Sequence, residues 1–245
     1  MSRLTVVRHA QAGPFETNSG CLSETGQLQA RALAAYWIRR DTIFDEVYTG
    51  TLARHRQTEA IVAEAYRAAG RAWPTAHELP ELNEYDAEGI IRAFAPAADL
   101  TDPRAFQLMF EDVMGQWLEG AIENSSIETW PQLRDRVLAG LAKITAGPVS
   151  RRIVAFTSGG PIGLLVQTAL GAPARGFLEA NWRVRNTSIT EFVFSAPRST
   201  VDIAHNAAGH ERFLPLASSS RAVRFTLDSF NALPHLDDPA LLTFR

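Results

Sequence analysis

The sequence predicts an α/β fold, a three-layer α/β/α arrangement in which a mostly parallel sheet is covered by helices on both faces. Three observations predict it. Short β-branched runs at residues 3–7, 44–48 and 152–157 end in polar residues, a helical pattern follows each run, and chemistry-bearing side chains stand where the runs end. Strands alternating with helices build parallel sheets, and such sheets bind ligands beyond the carboxyl ends of their strands.

Taken in order, the first run opens into Arg8-His9, and Ser23 then caps a helix in which Leu28, Ala32, Ala35 and Tyr36 recur on one face. The second run is followed by an alanine-rich helix over residues 52–69 that stops at Gly70. Between about residues 90 and 145 the pattern is purely helical. Asp102-Pro103 pairs a cap with a first-turn proline, and Phe106, Met109, Phe110, Val113 and Trp117 form one stripe. Thr129 and Gln132 form a capping box ahead of Leu133, Val137, Leu141 and Ile144. This stretch reads as a helical insertion within one domain spanning residues 1–245, because the strand it leads to carries the third piece of the candidate site. That third strand runs into Ser158-Gly159-Gly160-Pro161-Ile162-Gly163 and an apolar segment closed by Gly171 and Pro173, a strand, tight turn and helix. Residues 188–194 and 200–204 are β-rich with Pro197 between them, which predicts a hairpin or adjacent strand pair.

A chain of 245 residues, 46% hydrophobic and 21% charged, buries a sizeable core. Its net charge of -3 is well mixed. The only dense basic stretches, Arg39-Arg40 and Arg151-Arg152, are too short for a nucleic-acid footprint, so the expected partner is a small anionic substrate. Arg8 interrupts the first apolar run before a signal-peptide core forms, and no run approaches the roughly 20 apolar residues of a membrane span. Cys21 stands alone, which excludes an internal disulfide and a multi-cysteine metal site and fits a reducing compartment, so the cytoplasm is the expected location. No histidine and carboxylate cluster has metal-ligand spacing; neither a metal nor another cofactor is expected.

Arg8 beside His9 pairs a planar fork of donors, suited to phosphate, with an imidazole that can carry a phosphoryl group. Arg54 stands at a helix start after Thr49-Gly50-Thr51, where backbone donors and a guanidinium converge on an anion. Glu84 lies in an irregular stretch where partial burial would raise its pKa enough to hold a proton near neutrality.

These pieces come in a recognisable order: Val6-Val7-Arg8-His9-Ala10, Leu22-Ser23-Glu24-Thr25-Gly26, Thr51-Leu52-Ala53-Arg54-His55-Arg56-Gln57-Thr58, then Leu82-Asn83-Glu84. From Leu4 to about His210 the chain resembles the histidine phosphatase superfamily, which includes cofactor-dependent phosphoglycerate mutases and many small phosphatases. The resemblance implies a phosphoglycerate mutase-like fold and a small phosphorylated substrate. It implies that His9 is the nucleophile, that Arg8 and Arg54 grip the phosphate, and that Glu84 protonates the leaving oxygen.

The pattern breaks at Phe156-Thr157-Ser158-Gly159-Gly160, where Ser158 occupies the place of the family's second histidine. A serine hydroxyl is a neutral donor of shorter reach, and losing one preorganised donor typically costs about 10²- to 10³-fold in rate. Binding through Ser158 and the amides around Gly159 is expected to survive better than turnover. Ala10 replaces a usual glycine and constrains the backbone near His9. His55, His77 and His235 read as structural, whereas His205 or His210, after a late strand, is a candidate to replace the missing cation.

The leading expectation is a phosphohydrolase of reduced activity acting on a small phosphomonoester through phosphohistidine; a mutase cycle, lacking the second histidine, is less favoured. Two alternatives stand beside it: a degenerate member that binds phosphorylated ligands or a protein partner, and a hydrolase using Ser158 as nucleophile on its strand-turn-helix elbow. Phe156 breaks the G-x-S-x-G motif that the last would carry.

Overall fold

The computed structural model describes residues 1–13, 20–94, 103–121, 127–195, 202–205, 211–214 and 224–244. β1 (Ser2–Arg8), β2 (Glu46–Thr49), β3 (Ala76–Glu78) and β4 (Arg152–Thr157) run parallel, in the order β3-β2-β4-β1. Two antiparallel strands, β5 (Ile189–Ser195) and β8 (Arg224–Ala232), complete a six-stranded sheet on the β1 side. Among the described residues, β6 (Asp202–His205) and β7 (Glu211–Leu214) pair only with each other.

Alternation along the central strands divides the core into two faces. Val7, Val47, Val154 and Phe156 pack under α1 (Glu24–Arg39) and α2 (Ala53–Ala68), together with Leu33, Trp37, Val62 and Tyr66. Leu4, Val6, Ile153 and Ala155 face the other way, toward α4 (Pro103–Leu118), α5 (Trp130–Thr145), α6 (Gly159–Leu170) and α7 (Arg175–Asn181). The short α3 (Ala87–Phe94) precedes α4 in that second layer and buries Ile90. The expected three layers are present.

Local chemistry sets the helix boundaries. Ser23 Oγ accepts the Gly26 amide at 3.0 Å, α2 is followed by Gly70 at φ +67°, and Gly171 at φ 60° ends α6. The Thr129 and Gln132 capping box forms with both bonds in place. In α4, Phe110, Val113 and Trp117 are buried, which makes them packing groups, and Met109 packs against them. Asp102, with the side chains of Phe94 and Phe106, lies outside the described residues.

Two sequence expectations are corrected. The stripe Leu28, Ala32, Ala35 and Tyr36 is not the buried face of α1: Leu28 is exposed, and Gln29, Ala30, Leu33, Ala34 and Trp37 face inward. In an alanine-rich helix two stripes share the same spacing, and the deciding residue is polar. Gln29 accepts from the Gln11 amide and donates to Leu241 O and Thr243 Oγ1, each at 2.8 Å. Nor do the two late β-rich segments pair with each other. β5 takes β8 as its outer neighbour because the long alternating run Arg224-Phe225-Thr226-Leu227-Asp228 offers Phe225 to stack on Phe192, ring centroids 4.5 Å apart.

Candidate active site

The carboxyl ends of β1, β2 and β4 lie side by side, and the register Arg8↔Thr157 brings His9 next to Ser158. The His9 amide donates to Thr157 O at 2.8 Å, and its carbonyl accepts from Asn186 Nδ2 at 3.1 Å. Nδ1 of the ring stands 2.7 Å from the Ala10 carbonyl. A carbonyl accepts only, so the network assigns the proton to Nδ1 and leaves Nε2 with its lone pair. Burial, then the charges of Arg8 and Arg54, hold His9 well below the usual imidazole value. The ring is therefore neutral and nucleophilic at Nε2.

Ala10 does not strain this turn. It is absent from the residues with positive φ, and its amide donates to Thr58 Oγ1 at 3.0 Å. Thr58 Oγ1 in turn donates to Arg54 O at 2.7 Å, tying the first turn of α2 to the His9 loop.

Arg8 and Arg54 bring two guanidiniums to the same end of the sheet. Arg8 donates to the Val184 carbonyl and is thereby aimed. Arg54 is largely buried, which lowers its pKa, and the neighbouring Glu84 carboxylate opposes that shift.

Glu84 follows the short 3-10 turn Pro80–Leu82 beyond β3. Its carboxylate accepts from the Gly160 amide, 3.1 and 3.2 Å from the two oxygens, so the N-terminus of α6 holds it. Glycine is required at 160 because a Cβ there would stand 2.1 Å from Glu84 Oε1. Burial pushes the carboxyl above its ordinary value, against the opposing effects of the Gly160 amide, Arg54 and Arg8. The loop itself is set from behind. Arg136 of α5 donates to the carbonyls of Pro80, Glu81 and Asn83 while its other nitrogens grip Glu128 at 2.6 and 2.8 Å. Thr157 Oγ1 holds Leu82 O at 2.5 Å.

Ser158 and Gly159 open α6, whose first amides point out of the helix toward this cluster. Ser158 is fully buried and, although it stands at the N-cap, its side chain caps nothing. It stands instead 2.6 Å from Nε2 of His55.

His55, read from the sequence as structural, lies beside this cluster. Fully buried, it stands with its ring centroid 5.5 Å from that of His9. Burial and Arg54 push its pKa down to about 3, so it too is neutral. Its position directly after Arg54 was the available signal, but the partner that reveals it is 103 residues away. His77 lies against Tyr48, ring centroids 5.5 Å apart, and His235 supports Thr187 Oγ1 at 3.0 Å from behind the site. The His205 side chain and all of His210 lie outside the described residues.

Three further residues escaped the sequence reading. Asn83 clasps the Thr51 amide and hydroxyl at 2.7 Å each. Asn186 steadies the His9 carbonyl. Thr187 holds φ 57°, a costly conformation for a β-branched residue, while its amide donates to Arg8 O at 3.0 Å.

The histidine phosphatase superfamily (branch 1) matches residues 4–206 of the sequence. The chain belongs to that superfamily. Solved structures share the fold: a putative alpha-ribazole-5'-P phosphatase from Escherichia coli is 20% identical, with a TM-score of 0.58 over 80% of this chain and 92% of that one. A phosphoserine phosphatase mutant from Entamoeba histolytica, solved with phosphoserine, is 19% identical, with a TM-score of 0.55 over 96% and 100%. YhfR from Bacillus stearothermophilus is 16% identical, with a TM-score of 0.59 over 90% and 99%. No curated protein is a significant match in sequence. Among the described residues, no helix of this histidine phosphatase superfamily member is long and apolar enough to cross a membrane.

Proposed function

We propose that the protein hydrolyses small phosphomonoesters through a phosphohistidine at His9, without a metal or other cofactor. The observation that carries this reading is the state of the His9 ring, with Nδ1 committed to the Ala10 carbonyl and a neutral Nε2 left free beside two guanidiniums. Arg8, Arg54, the Ser158 hydroxyl and the Gly159 amide hold the phosphate oxygens. His9 Nε2 attacks phosphorus, the ester P–O bond breaks, and protonated Glu84 gives its proton to the departing alcohol. Water then attacks the phosphohistidine, losing its proton to Glu84, and phosphate leaves while Nε2 regains its lone pair. The names of the solved relatives, a ribazole phosphate phosphatase, a phosphoserine phosphatase and a glucosyl-3-phosphoglycerate phosphatase, support a small phosphorylated substrate. With a neutral hydroxyl at 158 the turnover is slower than a second imidazolium would give.

The bond between Ser158 Oγ and His55 Nε2 favours one competing reading, a serine nucleophile with His55 as base. Against it, such a base needs its other nitrogen oriented by an acceptor, and His55 Nδ1 is buried without a partner among the described residues. Turnover of para-nitrophenyl phosphate by wild type and His9→Ala, with mass spectrometry of the quenched enzyme, tests the choice. Loss of activity in His9→Ala and a phosphoryl group on His9 are expected. A phosphoryl group on Ser158, or turnover indifferent to His9, overturns the proposal.

A further inference from the structure

We propose that His55 is a positioning residue for Ser158: its Nε2–H donates to Ser158 Oγ and thereby turns the hydroxyl's own proton toward the phosphoryl oxygen. This deepens the phosphohydrolase reading and rests on it for the identity of the anion. The direction of the bond follows from the other side of the ring. His55 Nδ1 is buried with no hydrogen-bond partner among the described residues, packed so tightly on Gly50 that a Cβ there would stand 2.1 Å away. If Nδ1 carried the proton, a buried donor would face a methylene group with no acceptor; if it carries the lone pair, only an acceptor is left unpaired, the less costly orphan. The proton therefore belongs on Nε2, 2.6 Å from Ser158 Oγ.

The consequence falls on the serine. An oxygen that accepts from Nε2–H still has one proton to give, and Ser158 Oγ accepts from no amide of the first turn of α6. His9 stands at the neighbouring strand end, and Arg54 precedes His55 on the same helical turn. The same short turn thus supplies one charge for the anion and one ring that fixes a neutral donor. A fixed donor is the more useful kind, because a hydroxyl free to rotate must be oriented at the moment of reaction.

The experiment is a cycle of Ser158→Ala, His55→Ala and the double variant, with His55→Gln, read by kcat on para-nitrophenyl phosphate and by orthovanadate affinity. Ser158→Ala is expected to lower kcat about 10²-fold and His55→Ala about tenfold, with the double variant no worse than Ser158→Ala, because the two act as one unit. His55→Gln, whose amide N–H reaches the place of Nε2, recovers most of the His55→Ala loss, and vanadate affinity follows kcat in every variant. Losses that multiply in the double variant, wild-type kcat in His55→Ala, or His55→Gln as impaired as His55→Ala each overturn the role. If His9→Ala abolishes turnover while His55→Ala does not change it, the phosphohydrolase stands and this inference falls. If the wild type lacks turnover but vanadate affinity obeys the same cycle, the phosphohydrolase reading falls and the His55 role is upheld.

Discussion

Replacing Gly160 by alanine tests whether Glu84 acts as the acid from the place where α6 holds it. The added Cβ would stand 2.1 Å from Glu84 Oε1 and 2.7 Å from a ring carbon of Tyr85, where ordinary contact begins at 3.4 Å. Tyr85 is fixed by its stack on Trp117, ring centroids 5.4 Å apart, and by the bond from Asn181 Nδ2 to its hydroxyl at 2.9 Å. The carboxylate is the end of a side chain and gives way first, by about 1.3 Å (3.4 minus 2.1). A displacement of that size at a reacting group costs about 10²-fold in rate. The assay compares an alkyl phosphate, whose alcohol leaves only when protonated, with para-nitrophenyl phosphate, whose phenolate leaves readily. Gly160→Ala should lose about 10²-fold on the alkyl ester and much less on the aryl ester, as Glu84→Gln should, while the contact with the Tyr85 ring lowers the melting temperature. Equal losses on both esters, or wild-type kcat on the alkyl ester, would refute the reasoning.

Three more expectations follow from the same contacts. The pH profile of kcat/KM on an alkyl ester should be bell-shaped. Activity rises as His9 loses its proton, below the usual 6.5 because burial and nearby cations depress it, and falls as Glu84 loses its proton, above the usual 4.5 because burial raises it. A rising limb at or above pH 6.5, or a falling limb that survives in Glu84→Gln, would contradict these assignments. Urea titrations should show stability declining as pH drops below 6.5. His55 and His235, held down to about 3 and about 4 by burial, stay neutral while the unfolded chain takes up protons, so their stabilisation is whole above 6.5 and lost toward those values. The upper bound is about 2 kcal/mol for each imidazole between pH 6.5 and 5, and His235→Phe should remove its share; a flat profile would show that these rings take up protons in the native state. Arg136→Leu should lower kcat on the alkyl ester by at least about tenfold with little change in KM, since it frees the Glu84 loop without touching substrate. A rise in KM alone would place Arg136 in binding instead.

What the sequence by itself determined was everything that depends on neighbours along the chain. Strand runs, the Ser23 and Thr129 caps, the glycine stops and the order of Arg8-His9, Arg54 and Glu84 are local signals, and local sterics and hydrogen bonds write them directly into the residues. The choice of buried face on α1 was not local. Two stripes of equal spacing competed, and the Gln29 bridge between Gln11 and a C-terminal segment more than 200 positions away decided between them. The late strands show the same limit, because which alternating run pairs with β5 depends on partners the turn between them does not choose. His55 is the sharpest case. In the sequence it is one histidine on a charged helix, without a partner; only the sheet, by setting the end of β4 beside the start of α2, puts Ser158 within 2.6 Å of its ring. Tertiary structure decided what that histidine can do because a hydrogen bond's strength depends on distance and burial, and neither exists until the chain has closed.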